Sequence, residues 1–321
     1  MTNYIIRRLL LNLLVLWFVA SLVFVGTHAL PGDFAAQRVA STFTGADQTE
    51  AIAFARHELG LDKPLWRQYL EFMGELARGD LGTSLENQQS TWHELGARVP
   101  ATLELGTLIV LISFSLSLPI GVISAVKQNT WIDYLLRGFS ILGVAMPVFV
   151  VAILMSLLVV KFSLFKIDVI GHPHFWTDPV ASAKLYVIPA IAGGISGGAG
   201  VMRLLRSQML EVLRQDYIRT ARAKGLHDRT IWVRHALKNA MLPVLTVMGL
   251  TISGIVGGQI ILESMFNIDG VGRFLLAKLT TRDFAPFQGT VLVIAFVIVT
   301  VNLAVDLAYA WLDPRIRYTF N

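Results

Sequence analysis

Apolar residues in this chain gather in long runs instead of recurring at the spacing of a half-buried soluble helix. Six runs approach the roughly 20 residues needed to cross a bilayer as a helix. They fall at residues 9–30, 102–126, 139–162, 185–202, 241–262 and 287–311. The fourth is the weakest, because glycine displaces larger apolar residues in Gly193-Gly194-Ile-Ser-Gly197-Gly198-Ala-Gly200. The pattern predicts an all-α integral membrane protein with six transmembrane helices. Arg7-Arg8 before an apolar stretch imitates a signal peptide. The stretch is too long for that and no small-x-small site follows, so it is expected to remain as the first span.

One polar interval separates the first two runs. Within it, residues 51–59 and 65–77 carry helical periodicity, with Trp66, Tyr69, Leu70, Met73 and Leu76 near one face. Pro64 suits the first turn of the second helix, and Gly79-Asp80-Leu81-Gly82 suits a closing turn. A small helical segment outside the bilayer is expected there, acting as a lid more readily than as a binding domain.

Charge orients the spans. Between Arg203 and Lys238 there are nine Lys/Arg against three Asp/Glu, whereas between Pro31 and Pro100 there are six against ten. By the positive-inside rule the N-terminus, 127–137, 203–238 and the C-terminal tail 313–321 face the cytoplasm, and 31–100, 161–184 and 263–286 face out. The net charge of +5 therefore reads as membrane orientation and not as a nucleic-acid footprint. Composition agrees, with 54% apolar and only 15% charged residues, too few charges to solvate a soluble surface of this size. The chain has no cysteine, which removes disulfides and thiolate metal sites.

Candidate chemistry is sparse. The phosphate cradle G-x-x-x-x-G-K-[ST] is missing, and the glycine-rich fourth span has no Lys-Ser/Thr pair. Gly193/Gly197 and Gly194/Gly198 have the spacing of close helix contacts instead. Gly249, Ser253 and Gly257, with Gly254/Gly258, repeat it in the fifth span. A flexible or pathway-lining helix is the alternative for both. His57-Glu58 and His93-Glu94 lack the second histidine of a zinc-enzyme motif, and His172 and His174 have no carboxylate or sulfur company, so no metal site is expected. Glu104 sits near the outer end of the second span, where it can reach water. Asn302 and Asp306 share a helix face and are expected to make a structural hydrogen bond. No catalytic constellation and no chain of intramembrane acids is visible. That weighs against an intramembrane enzyme and against a proton-coupled secondary transporter.

The most distinctive segment is Asp216-Tyr217-Ile218-Arg219-Thr220-Ala221-Arg222-Ala223-Lys224-Gly225-Leu226, a basic, helix-forming stretch between two spans, with small residues at Ala221, Ala223 and Gly225. Small side chains admit close approach of another surface, and the arginines can reach acidic or carbonyl partners. An ordinary basic loop would account for the charge alone, but not for the ordered small residues followed by His235-Ala-Leu-Lys-Asn239-Ala-Met-Leu-Pro243.

This segment resembles the EAA-x3-G motif in membrane subunits of ATP-binding cassette importers. Arg219-Thr220-Ala221 stands at the EAA positions and Gly225 at the glycine. Arg219 and Thr220 depart from the general form, and the proline comes late, at Pro243. Further segments extend the resemblance over nearly the whole chain. They are His28-Ala-Leu-Pro-Gly-Asp33, Leu59-Gly-Leu-Asp-Lys-Pro64 with Gln68-Tyr69, Gly79-Asp-Leu-Gly-Thr-Ser84, Arg98-Val-Pro-Ala-Thr-Leu-Glu-Leu105 and Leu312-Asp-Pro-Arg-Ile-Arg317. Ile268-Asp269-Gly270 departs where the family often has proline-glycine. Together they are similar to the B-type membrane subunit of dipeptide, oligopeptide and nickel importers.

The resemblance implies a type I importer fold, with an N-terminal span at 1–30, an extracytoplasmic segment at 31–97, a permease core at 98–311 containing a coupling loop at 203–240, and a cytoplasmic tail at 312–321. It implies a homologous second permease subunit, two ATPase subunits holding ATP and magnesium, an extracytoplasmic substrate-binding protein and a short-peptide substrate. No cofactor would be bound by this chain. Nickel chelates, glutathione or another small solute are the alternative cargoes. Asp216, Tyr217, Arg219, Thr220, Ala221, Arg222, Ala223, Gly225, Leu226 and His235 are the expected coupling residues. Leu213, Ile218 and Leu226 would hold the helix through apolar contacts.

Overall fold

The structure is a computed structural model that describes residues 2–29, 57, 62–164 and 173–312, with only the backbone described for 2–5 and 306–312. The helices are α1 (Thr2–Ala29), α2 (Leu65–Ala77), α3 (Thr91–Val126), α4 (Trp131–Ala145), α5 (Val148–Lys161), α6 (Pro179–Leu213), α7 (Asp216–Ala223), α8 (Asp228–Met265), α9 (Val271–Thr280) and α10 (Phe284–Leu312). Among the described residues the only strand-like pairing is an isolated bridge between Thr83 and Ser90. The expected helix at 51–59 and the tail at 313–321 lie outside the described residues.

Five helices, α1, α3, α6, α8 and α10, are long and apolar enough to cross a membrane. The expected third span is not one straight helix. Its residues are divided between α4 and α5, which meet at a bend of 115° and count as a sixth span when the bent pair is taken together. Proline explains the break. Pro147 has no N–H to continue the helix, and it forces the preceding Met146 into extended backbone, with ψ 128°. Polar caps set the neighbouring starts. Thr130 accepts a hydrogen bond from the Asp133 amide at the head of α4, and Asp178 accepts one from the Ala181 amide ahead of Pro179 at the head of α6.

The chain forms two compact units. The first comprises Met1–Arg98 and Phe274–Val297. In it, Phe24 of α1 packs on Tyr69 and Phe72 of α2 at ring separations of 5.4 and 5.6 Å, and the Tyr69 hydroxyl hydrogen-bonds Ser21 at 2.8 Å. Of the apolar face expected on 65–77, Tyr69 docks on a span, whereas Trp66 and Leu70 are exposed. Nearby, the buried Lys278 ammonium donates to Glu86 and Asp283, each at 3.0 Å, and to Ser84 at 3.2 Å. Burial disfavours the charged form of Lys278, but the bonds to Glu86 and Asp283 outweigh it and hold its pKa above the ordinary lysine value.

The second unit comprises Val99–Arg273 and Ile298–Asn321. Its centre is α6, the glycine-rich helix. A Cβ added at Gly193 would lie 2.9 Å from Ile109, one at Gly194 2.5 Å from Ile112, and one at Gly198 2.8 Å from the Ser113 carbonyl. The glycines thus let α6 and α3 approach closely, as membrane helices do at small-residue seams. On the other side, Gly143 of α4 meets Ala199 of α6. A buried carboxylate clamps a third corner. Glu263, near the end of α8, accepts from Thr102 Oγ1 at 2.7 Å, the Gly272 amide at 2.7 Å and the Arg273 amide at 3.2 Å. It satisfies the free amides at the start of α9. Any side chain at Gly270 would run into this carboxylate.

Candidate functional site

The basic stretch 216–226 is a short helix and a turn, built as an amphipathic unit. Asp216 opens α7, where an acid complements the helix N-terminus. Ile218 is fully buried and Ala221 nearly so. Both join an apolar cluster with Met209 and Val212 of α6 and with Ile231, Ala236 and Ala240 of α8. Leu213 packs against the same cluster. Gly225 adopts φ +77°, the left-handed conformation that ends a helix, and a Cβ there would meet nothing within 4 Å. Two corrections follow. Ala221 faces inward, so it permits close packing within this chain and not approach from outside. Leu226 is 41% exposed and lies free of the core it was expected to join.

Side-chain bonds fix the helix further. The Asn239 amide donates to Tyr217 Oη at 2.8 Å and to the His235 carbonyl at 3.0 Å, tying α7 to α8. Arg222 faces Asp228 at 3.7 Å. His235 contributes that carbonyl, and its ring is half-buried. Arg219 pairs with Asp216 at 3.2 Å, but both are largely exposed, at 75% and 93%. An exposed pair of this kind contributes little to stability and leaves both charges available to a partner. Arg219, Thr220, Arg222, Ala223, Lys224 and Gly225 form the outward face.

α7 is connected rigidly to the interior. It follows α6 after only two residues and packs on the π-helical turn Ile231–Leu237 at the head of α8. Both α6 and α8 then run to a cavity of about 260 Å³. Its lining includes Ile109 and Val148, together with Gly193, Ser196 and Gly197 of α6 and Thr251, Gly254 and Gln259 of α8. From Leu213 to Gly193, α6 spans roughly 30 Å at 1.5 Å per residue. No ionisable side chain lines the cavity, and the Ser196 hydroxyl has no hydrogen-bond partner among the described residues. The site is neutral, with isolated polar groups on an apolar and glycine-rich wall.

The remaining expected residues are placed as follows. Gly193 and Gly249 lie in tight contacts, the latter against Val305, while a Cβ added at Gly197 would lie an ordinary 3.5 Å from Ile255. Gly257 has open space around it, contrary to the packing role expected for it within this chain. Ser253 donates to Asn302 at 2.6 Å. That bond gives both residues a structural partner, and the Asp306 side chain lies outside the described residues. Glu104 does not reach toward water. Its side chain is only 9% exposed, accepts from the Phe175 amide at 3.2 Å and lies 3.3 Å from His174, holding the turn before α6. His172 lies outside the described residues, and His57 and His93 are exposed.

Sequence reading missed one polar centre. Asp133, with no exposed surface, accepts two hydrogen bonds from Arg206 at 2.8 Å each, one from Ser124 at 2.6 Å and one from the Asn129 amide at 3.0 Å. It joins α3, α4 and α6 just before α6 leads into α7. Asp133 and Arg206 are 73 residues apart, and no spacing rule connects them.

Residues 117–318 match the family described as binding-protein-dependent transport system inner membrane component, and residues 1–106 match the N-terminal domain of such membrane components. The chain is 37% identical to the dipeptide transport system permease protein DppB of Alkalihalophilus pseudofirmus, over 99% of this chain and 100% of the relative. It is 37% identical to the DppB protein of Escherichia coli K12, over 99% of each. It is also 35% identical to the glutathione transport system permease protein GsiC of Salmonella typhimurium, over 99% of this chain and 100% of the relative.

Proposed function

Because the chain belongs to the family of binding-protein-dependent transport system inner membrane components, we propose that it is the permease subunit of an ATP-driven importer for short peptides. It is a multi-pass protein of the cytoplasmic membrane with the type I importer fold. The dipeptide permeases that align with it end to end support the cargo class, and the glutathione permeases support a close alternative, since glutathione is itself a short peptide. Its partners are a homologous permease, two ATPase subunits that hold ATP and magnesium, and an extracytoplasmic binding protein. This chain supplies no catalytic group. Both termini and α7 face the cytoplasm in this reading, which the arginine-rich 203–238 interval supports.

The observation that carries the mechanism is the anchoring of α7. A docking element can bias two arrangements of a bundle only if it moves as one body with the spans. Ile218 and Ala221 bury α7 against α6 and α8, and Tyr217 is bonded to Asn239. Closure of the ATPase pair pushes on the exposed Arg219, Thr220 and Arg222, and α6 and α8 carry the displacement to the cavity they line. The π-helical turn at 231–237 and Pro189 within α6 are natural places for bending.

Purification in mild detergent tests the assembly, with the co-eluting proteins identified by mass spectrometry. Recovery of a second permease and ATPase subunits is expected, and ATP-dependent uptake of a labelled dipeptide by the reconstituted complex follows. Reproducible purification of the chain alone, under conditions that preserve other importers, would overturn the proposal.

A further inference from the structure

Peptide import makes no use of a second cavity, of about 240 Å³, bounded by α3, α4 and α6. Ile120 and Ser124 near the end of α3, Arg137, Ser140 and Ile141 of α4, and Met202, Arg203 and Arg206 of α6 bound it. Three arginines are among the residues that line it, Arg137, Arg203 and Arg206. Arg206 is neutralised by its two-pronged pair with Asp133. Arg137 has only the Tyr134 ring, at 5.9 Å, and neither Arg137 nor Arg203 has a carboxylate partner among the described residues. Two exposed arginines without a carboxylate partner among the described residues therefore border one concave space. Phosphate oxygens suit that geometry.

The wall beside the cavity indicates what carries the phosphate. α4 buries Asp133, Ser140 and Gly143 on one face. Its other face exposes Trp131 (74%), Tyr134 (58%), Ile141 (52%) and Leu142 (59%). Trp and Tyr are enriched at the level of lipid headgroups, and the leucine and isoleucine lie deeper along the same helix. A soluble anion would use the arginines and leave that apolar strip without a role. A phospholipid uses both, and anionic phospholipids concentrate in the cytoplasmic leaflet, where basic pockets between spans bind their headgroups.

We propose that the cavity between α3, α4 and α6 binds the phosphate-bearing headgroup of an anionic phospholipid, with Arg137 and Arg203 on the phosphate and the acyl chains along the outer face of α4. This rests on the orientation assigned above, which places the cavity on the cytoplasmic side. Occupancy next to the Asp133–Arg206 pair lends rigidity at the point where α6 passes force from α7.

The test is native mass spectrometry of the delipidated, purified complex titrated with phosphatidylglycerol or phosphatidylcholine, with and without inorganic phosphate. The complex is expected to retain phosphatidylglycerol selectively. An Arg137→Gln/Arg203→Gln double variant should lose that selectivity by about tenfold or more, given the contribution of each basic residue to anionic-lipid binding. An Arg137→Lys/Arg203→Lys variant keeps both charges and should retain selectivity above the Gln variant though below the parent, which separates charge from folding. Equal retention of both lipids, or selectivity unchanged in the Gln variant, overturns the site. Protection by inorganic phosphate without phosphatidylglycerol retention assigns the cavity to a soluble anion and overturns the lipid. Co-elution of the ATPase subunits is scored in the same spectra. Intact complexes without lipid selectivity remove only this site, whereas absent ATPase subunits count against the importer reading itself.

Discussion

Removing Arg206 is expected to be among the most destabilising single changes in the second unit. Asp133 is fully buried and Arg206 supplies two of its four hydrogen bonds and its only counter-charge in the described structure. Arg206→Met leaves a buried carboxylate held only by Ser124 and the Asn129 amide. Breaking a buried pair by removing one partner costs about 3–5 kcal/mol. Arg206 is 20% exposed beside a cavity, so some water reaches the orphaned acid and the lower end applies. A loss of about 3 kcal/mol lowers the melting temperature by roughly 6–12 °C for a unit of this size. The double variant Asp133→Asn/Arg206→Met removes the charge as well, while Ser124 and Asn129 still serve the amide. It should recover more than half of the loss. Thermal denaturation of the detergent-solubilised protein, followed by fluorescence-detected size exclusion, measures Arg206→Met, Asp133→Asn and the double variant. If the double variant falls as far as the sum of the singles, or Arg206→Met melts with the parent, the pair does not couple α4 to α6 as described.

Three other outcomes are expected. Gly225→Val imposes a strain of about 1–2 kcal/mol at a left-handed turn. It should reduce peptide uptake per ATP hydrolysed severalfold while the subunit remains in the membrane, and normal coupling in a stably expressed variant would count against the lever. Gly198→Ala drives a Cβ to 2.8 Å from the Ser113 carbonyl and should cost about 1–3 kcal/mol in the same melting assay, whereas Gly257→Ala, in open space, should cost the isolated chain nothing measurable. The Lys278 cluster contributes stability that is complete below the ordinary lysine pKa of 10.5 and is lost as pH rises through the higher folded value. The parent should therefore lose stability in strong alkali, and Lys278→Met, less stable at neutral pH, should show a smaller alkaline decline in a pH series of melting curves.

The spans that touch lipid were plain in the sequence, because lipid demands apolar runs. The fourth was the weakest by hydropathy, and the structure explains why: 67% of the apolar window in α6 is buried inside the protein, so close packing replaced hydrophobicity as the requirement on its residues. A straight third span was expected because apolar residues continue across Met146-Pro147. The proline was the signal for the break, and hydropathy does not weigh it. The stretch 216–226 stood out through its small residues, but which of them faces in was fixed by packing from α6 and α8. Ala221 therefore turned out to serve the core and Gly225 the turn. The Asp133–Arg206 and Glu263–Thr102 contacts join residues 73 and 161 positions apart. Only the fold brings them together.

The central claim is that α7 is the surface on which the ATPase acts. Because the chain contains no cysteine, single cysteines can be placed without background. Thr220→Cys and Ala223→Cys lie on the exposed face of α7, and Trp176→Cys lies in the turn before α6, expected on the opposite side of the membrane. Crosslinking in the assembled complex should join both α7 positions to an ATPase subunit, with yields that change on adding ATP, and should give no such product from Trp176→Cys. ATPase crosslinks from Trp176→Cys, or none from α7 while the subunits co-purify, would contradict the account.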